Sequence, residues 1–202
     1  MELGSDQARA ELPAKEQKMT KNYLLGSTAK TERFLSSKSL KATNDLSGSV
    51  QSQVHNILFN AIQYDQTLKQ TLDALASAPE ITDALPTYDA AGKAVNVPAR
   101  LETIARTNIT SAVNLARQDF FGSPELKGFV QAYEYSAILD DRTTEVCQHL
   151  NGKIMRDFSY YTPPNHFNCR SILIPITVLD EWDGKESPSP RVEPNKGFGI
   201  GK

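Results

Sequence analysis

The sequence predicts an α+β chain: long N-terminal helices followed by a small domain with a short antiparallel sheet and a Cys/His loop cluster. Apolar residues recur at helical spacing between Leu46 and Phe120. From Gly128 the period changes to two and the run is rich in aromatic residues. Beyond it, Cys147, His166 and Cys169 stand in loop-like sequence between short β-rich runs.

Composition bounds the function classes. With 202 residues, 39% of them hydrophobic and 23% charged, the chain has room for one domain with flanking segments or two small ones. Its longest apolar runs, 172–176 and 178–179, fall far short of the ~20 residues that span a bilayer. Residues 1–10 are polar and acidic, without the apolar stretch of a signal peptide. Two cysteines exclude a disulfide-dense secreted scaffold. A net charge of -2 excludes a uniformly basic nucleic-acid binder. That figure hides a gradient: residues 1–41 carry +3, 42–125 carry -4 and 126–202 carry -1.

Residues 1–44 read as a basic arm, partly disordered or ordered by a partner. Its positive charge lies in 9–41, which suits a solvated tail or polar helix surface, or contact with DNA or an acidic partner surface. Residues 45–97 read as a long amphipathic helix and a linker. Asn44 or Asp45 is the expected cap, and Leu46, Val50, Val54, Ile57, Leu58, Ala61, Ile62, Leu68, Leu72 and Leu75 make one face. A single helix of roughly 30 residues would be about 45 Å long. Pro79, Pro86 and Pro98 punctuate the linker.

Pro98 opens the next helix, and Gly122-Ser123-Pro124 ends it. The strand from Gly128 stops at Asp140-Asp141, and a short helix is expected over 143–150. Asn151-Gly152 is a hairpin signal, which makes 153–155 a short strand. Residues 171–178 form the strand that pairs with the first. Residues 179–202, rich in Pro and Gly, read as an extended C-terminal arm.

Cys147 and Cys169 are the chain's two cysteines, and His166 precedes Cys169 by three positions. A His-x-x-Cys loop plus Cys147 and one carboxylate would complete the tetrahedral set that zinc favours. Asp141 is the first choice for the fourth ligand and His149 the second. Two other readings stand beside this one: a structural pair of cysteines, bonded or reduced, and a Cys-His nucleophile and base. No oxyanion or base-orienting motif accompanies the latter.

These residues carry a family resemblance. The run from Asp141 to Lys153, with Arg142-Thr143, Cys147, Leu150 and Gly152-Lys153, is followed by Pro163-Pro164-Asn165-His166 and Cys169-Arg170. An apolar strand ending at Pro175 completes it. The whole resembles the phage head morphogenesis domain of the Mu F-like minor head proteins of tailed bacteriophages. Arg100 to Thr107 and Asn114-Leu115-Ala116-Arg117 resemble stretches of the family's preceding helix. The resemblance covers roughly residues 98–178. Many members carry a further Cys three positions before the first, where this chain has Thr144, so a set of three or four thiolates is not available here.

The resemblance implies a structural protein and not an enzyme: a minor capsid component, present in few copies in the virion. Its site would be the head interior or the portal vertex, after assembly in the bacterial host cytoplasm. The implied partners are the portal protein and the major capsid protein, and the implied roles are head assembly, DNA packaging or DNA ejection. A zinc-dependent hydrolase or nuclease built on the Cys/His cluster is the alternative, and a DNA-binding adaptor using residues 9–41 a third reading.

Overall fold

The computed structural model describes residues 40–64, 66–86, 88 and 92–199. The basic stretch 9–41 lies outside them apart from Leu40 and Lys41. The elements are α1 (Gly48–Gln63), α2 (Leu68–Ala76), α3 (Pro79–Thr82), α4 (Val97–Phe121), a 3-10 turn (Pro124–Leu126), β1 (Val130–Ser136), α5 (Glu145–Leu150), β2 (Ile154–Met155) and β3 (Ile172–Thr177). The fold is α+β, as the sequence predicts.

The expected single helix over 45–75 is two helices. Tyr64 caps the end of α1. Thr67 then starts α2 with a reciprocal capping box: its hydroxyl accepts from Gln70 N–H while the Gln70 side chain accepts from Thr67 N–H. The restart turns α2 back, so that both helices reach α4. The first cap also differs from expectation. Ser47 receives the Val50 N–H, and Asp45 instead pairs with Arg100 at 2.6 Å.

Among the described residues, two apolar clusters form the core. The first joins Leu40 and Leu46, the α1 face Val50, Val54 and Leu58, then Leu75, Ile81 and Leu85, and the α4 residues Leu101, Ile104, Ala105 and Ala112. The second gathers Tyr135, Val146, Cys147, Leu150, Phe158, Tyr161, Cys169 and Leu173. One face of α4 closes the first, while polar side chains further along the same helix engage the second.

The sheet has the order β2-β1-β3 and is antiparallel throughout. Tyr135 stands opposite Leu173, and both point into the second cluster. Both sheet edges are covered, which removes the open ladder on which another chain could pair. On the β3 edge, Asn114 accepts from Leu173 N–H and donates to Ser171 O, and Arg117 donates to Leu173 O. On the β2 edge, Ser187 N–H donates to Ile154 O and its hydroxyl accepts from Ile154 N–H.

Ser187 belongs to the expected C-terminal arm. Residues 179–199 hold no helix or strand, yet they lie against the domain. Arg156 bonds Glu186 and Gly184 O, Tyr161 donates to Val192 O, and Asn195 N–H donates to Asn165 O. Phe198 is buried, edge-on to Phe167 and beneath the Lys41 ammonium. The segment is a strap across the Cys/His loop, and Pro and Gly composition alone does not distinguish a bound strap from a free tail.

Candidate metal centre

Three elements bring the cluster together. Cys147 lies in the first turn and a half of α5, whose N-cap is Thr144. His166 and Cys169 come from the loop before β3. Asn168 between them adopts φ 59°, a left-handed turn that asparagine tolerates. Its backbone N–H donates to Thr107 Oγ1 and its side chain to Thr103 Oγ1, which fixes the turn on α4. Thr110 then donates to Cys169 O. The polar stripe of α4 thus positions the loop that its apolar face cannot reach.

The Cys147, His166 and Cys169 donor atoms all lie within 4.8 Å of one another, and all three residues are buried. This group could hold a metal ion. Cys147 Sγ is 3.1 Å from His166 Nε2 and 3.8 Å from Cys169 Sγ. Both cysteines are free, and 3.8 Å is nearly twice a disulfide bond length. His166 Nδ1 lies 2.6 Å from Phe167 O. A carbonyl only accepts, so Nδ1 carries the proton and Nε2 turns its lone pair into the cluster, as a metal-ligating imidazole does.

Further polar groups close around the sulfurs. Tyr135 Oη lies 3.2 Å from Cys147 Sγ, and the Ser171 hydroxyl donates to the same sulfur at 3.3 Å. Asn165 Nδ2 donates to Tyr135 Oη and to Tyr161 O.

These contacts divide the two thiols. The bond from Cys147 leads in drawing Cys169 down to about 6; burial opposes it, and the Asn165 and Ser171 backbones assist. The same bond, with burial, pushes Cys147 up to about 12. Of the two thiols, Cys169 is the more readily ionised, because it accepts the hydrogen bond that Cys147 donates. Burial works to lower the His166 pKa, but the bond to Cys147, that group's charge and the Phe167 carbonyl outweigh it, so the net shift is upward.

The two expected fourth ligands stand outside this group. Asp141 is exposed. His149 is exposed on α5, where its Nε2 accepts from Arg191 N–H at 3.4 Å. The neighbouring Asp140 grips Arg170 with both oxygens at 2.7 and 2.5 Å and accepts from Arg142 N–H. Asp140 thus works as a clamp on the loop. Thr144 has a buried Oγ1 without a hydrogen-bond partner among the described residues. Sequence reasoning missed Tyr135 and Asn165. Tyr135 looks like any strand aromatic, although the position of Asn165 beside His166 was a usable signal.

The family described as Phage Mu protein F like protein matches residues 52–174. The chain belongs to that family. The match begins in α1 and ends in β3, so the N-terminal helices belong to the family unit, beyond the 98–178 that motif resemblance covers. Phage Mu F-like membership makes the chain a phage head morphogenesis protein, associated with the virion and with other head components. No curated protein and no solved structure matches it. Among the described residues, no helix is long and apolar enough to cross a membrane.

Proposed function

We propose that this chain is a minor capsid protein of a tailed phage, binding at the portal vertex or the inner capsid and acting in head assembly, DNA packaging or DNA ejection. The observation that carries the reading is the family match across residues 52–174, which includes the first apolar cluster from Val54 onward, the buried residues of the second and the Cys/His loop. The portal protein and the major capsid protein are the partners this reading implies, and it assigns residues 9–41, for their positive charge, a non-specific contact with the phosphates of packaged DNA. Quantitative mass spectrometry of purified proheads and virions tests it. A few copies per particle are expected, and absence from both particles overturns the reading.

The chemistry of the cluster suits a staple better than a reaction centre. A catalytic zinc keeps a position open to substrate, whereas these atoms are buried and bonded to one another. We assign Cys147, His166 and Cys169 as zinc ligands. Two thiolates on one tetrahedral zinc stand about 3.8 Å apart, given a Zn–S bond of about 2.3 Å; the sulfurs here are 3.8 Å apart. An imidazole nitrogen would stand about 3.6 Å from each sulfur, so His166 has to move outward by about 0.5 Å from its 3.1 Å contact. Elemental analysis should find close to one zinc per chain, lost in Cys147→Ser. Metal-free wild-type protein, purified without chelator, would remove the zinc assignment.

A further inference from the structure

Three protein donors leave one vertex of a tetrahedron to fill. Resting on the reading that Cys147, His166 and Cys169 bind zinc, the geometry points to the phenol oxygen of Tyr135 as the fourth ligand. Tyr135 is fully buried on β1, and its Oη lies 3.2 Å from Cys147 Sγ. An oxygen ligand sharing zinc with a thiolate stands about 3.6 Å from it. Relative to Cys147, the shift needed is therefore comparable to that of His166.

Asn165 supplies the second argument. Its Nδ2 donates to Tyr135 Oη at 3.0 Å and to Tyr161 O at 2.9 Å. Metal ligands commonly carry such an outer hydrogen bond, which fixes their orientation. Asn165 also precedes His166, so one loop delivers a ligand and the support for another. Ser171 Oγ, 3.3 Å from Cys147 Sγ, remains a hydrogen-bond donor to the thiolate. Asp141 is exposed, and its carboxylate is not among the clustered donor atoms. As Tyr135 Oη takes up the cation, its proton passes to the buffer, as do the remaining thiol protons.

The test is a zinc titration of the metal-free full chain at fixed pH, following bound zinc and the ultraviolet difference absorption of ionised tyrosine. Tyr135→Phe keeps the ring that packs on Phe158, so the fold is retained. In wild type the tyrosinate signal should rise and saturate at one equivalent. In Tyr135→Phe it should be missing, with zinc bound at least about tenfold more weakly. Ser171→Ala should keep the signal. Wild type that binds one zinc without the signal overturns the proposal while leaving the three-ligand site standing. So does Tyr135→Phe with wild-type affinity, or zinc loss confined to Ser171→Ala. Wild type that takes up no zinc overturns both.

Discussion

Asn114 illustrates how much one side chain can hold. It is buried in α4 and serves three backbone groups: Thr110 O, Ser171 O and Leu173 N–H. Asn114→Ala would strand the last two inside the protein, each at a cost of about 1–3 kcal/mol. A loss of about 3 kcal/mol in urea unfolding is expected, and a change below 1 kcal/mol would refute this role. Thr144 is the opposite case. Its hydroxyl is buried without a partner, so Thr144→Val removes a desolvated group and should raise stability by about 1 kcal/mol in the same assay. Asp140 gives a pH dependence. Hydrogen bonds from Arg170, then Arg142 N–H and Thr143, hold its carboxyl well below the usual range. A depressed pKa contributes stability above the unfolded value of about 3.9, lost as pH falls toward the folded value. Wild type should therefore lose more melting temperature than Asp140→Asn between neutral pH and acid below about pH 4. Parallel pH profiles would contradict the clamp.

At the scale of elements, what the sequence reveals follows its periodicity. The apolar face of α1 and α4 and the pairing of β1 with β3 were legible because burial alone produces those patterns. The break between α1 and α2 was not, because Leu68 and Leu72 continue a helical spacing across it. The Thr67-x-x-Gln70 box was present in the sequence as the stop and restart signal. Thr67→Ala should cost about 1 kcal/mol in thermal unfolding, and no loss would mean that packing alone sets the break. The candidate site was half legible. Residue type and spacing singled out Cys147, His166 and Cys169. The fourth position was not accessible, because Asp141 and Tyr135 differ by where the strand end and the Asp140–Arg170 clamp put them. The polar stripe Thr103, Thr107, Thr110, Asn114 and Arg117 was hidden for a related reason. Periodicity arguments score apolar residues, and this face of α4 docks on backbone.

At the scale of the whole molecule, α4 is the member that both clusters share. Leu101, Ile104, Ala105 and Ala112 close the first. Thr110, Asn114, Arg117 and Gln118 hold the Cys/His loop and β3 through hydrogen bonds to Cys169 O, Ser171 O, Leu173 and Thr162. The strap adds a second link, since Lys41 donates to Gly197 O at 2.5 Å. Unfolding either cluster thus frees one side of α4 and strands buried polar groups on the other, which favours one cooperative transition. Ile104→Ala tests this from a distance. Ile104 is fully buried in the first cluster, and its truncation should cost about 2–5 kcal/mol. Trp182, the chain's sole tryptophan, lies in the strap and stacks under Arg156, so its fluorescence reports the other end of the molecule. In Ile104→Ala the midpoints by tryptophan fluorescence and by far-ultraviolet circular dichroism should fall together. A fluorescence midpoint that stays at its wild-type value would mean that the two clusters unfold independently and that α4 joins them without coupling them.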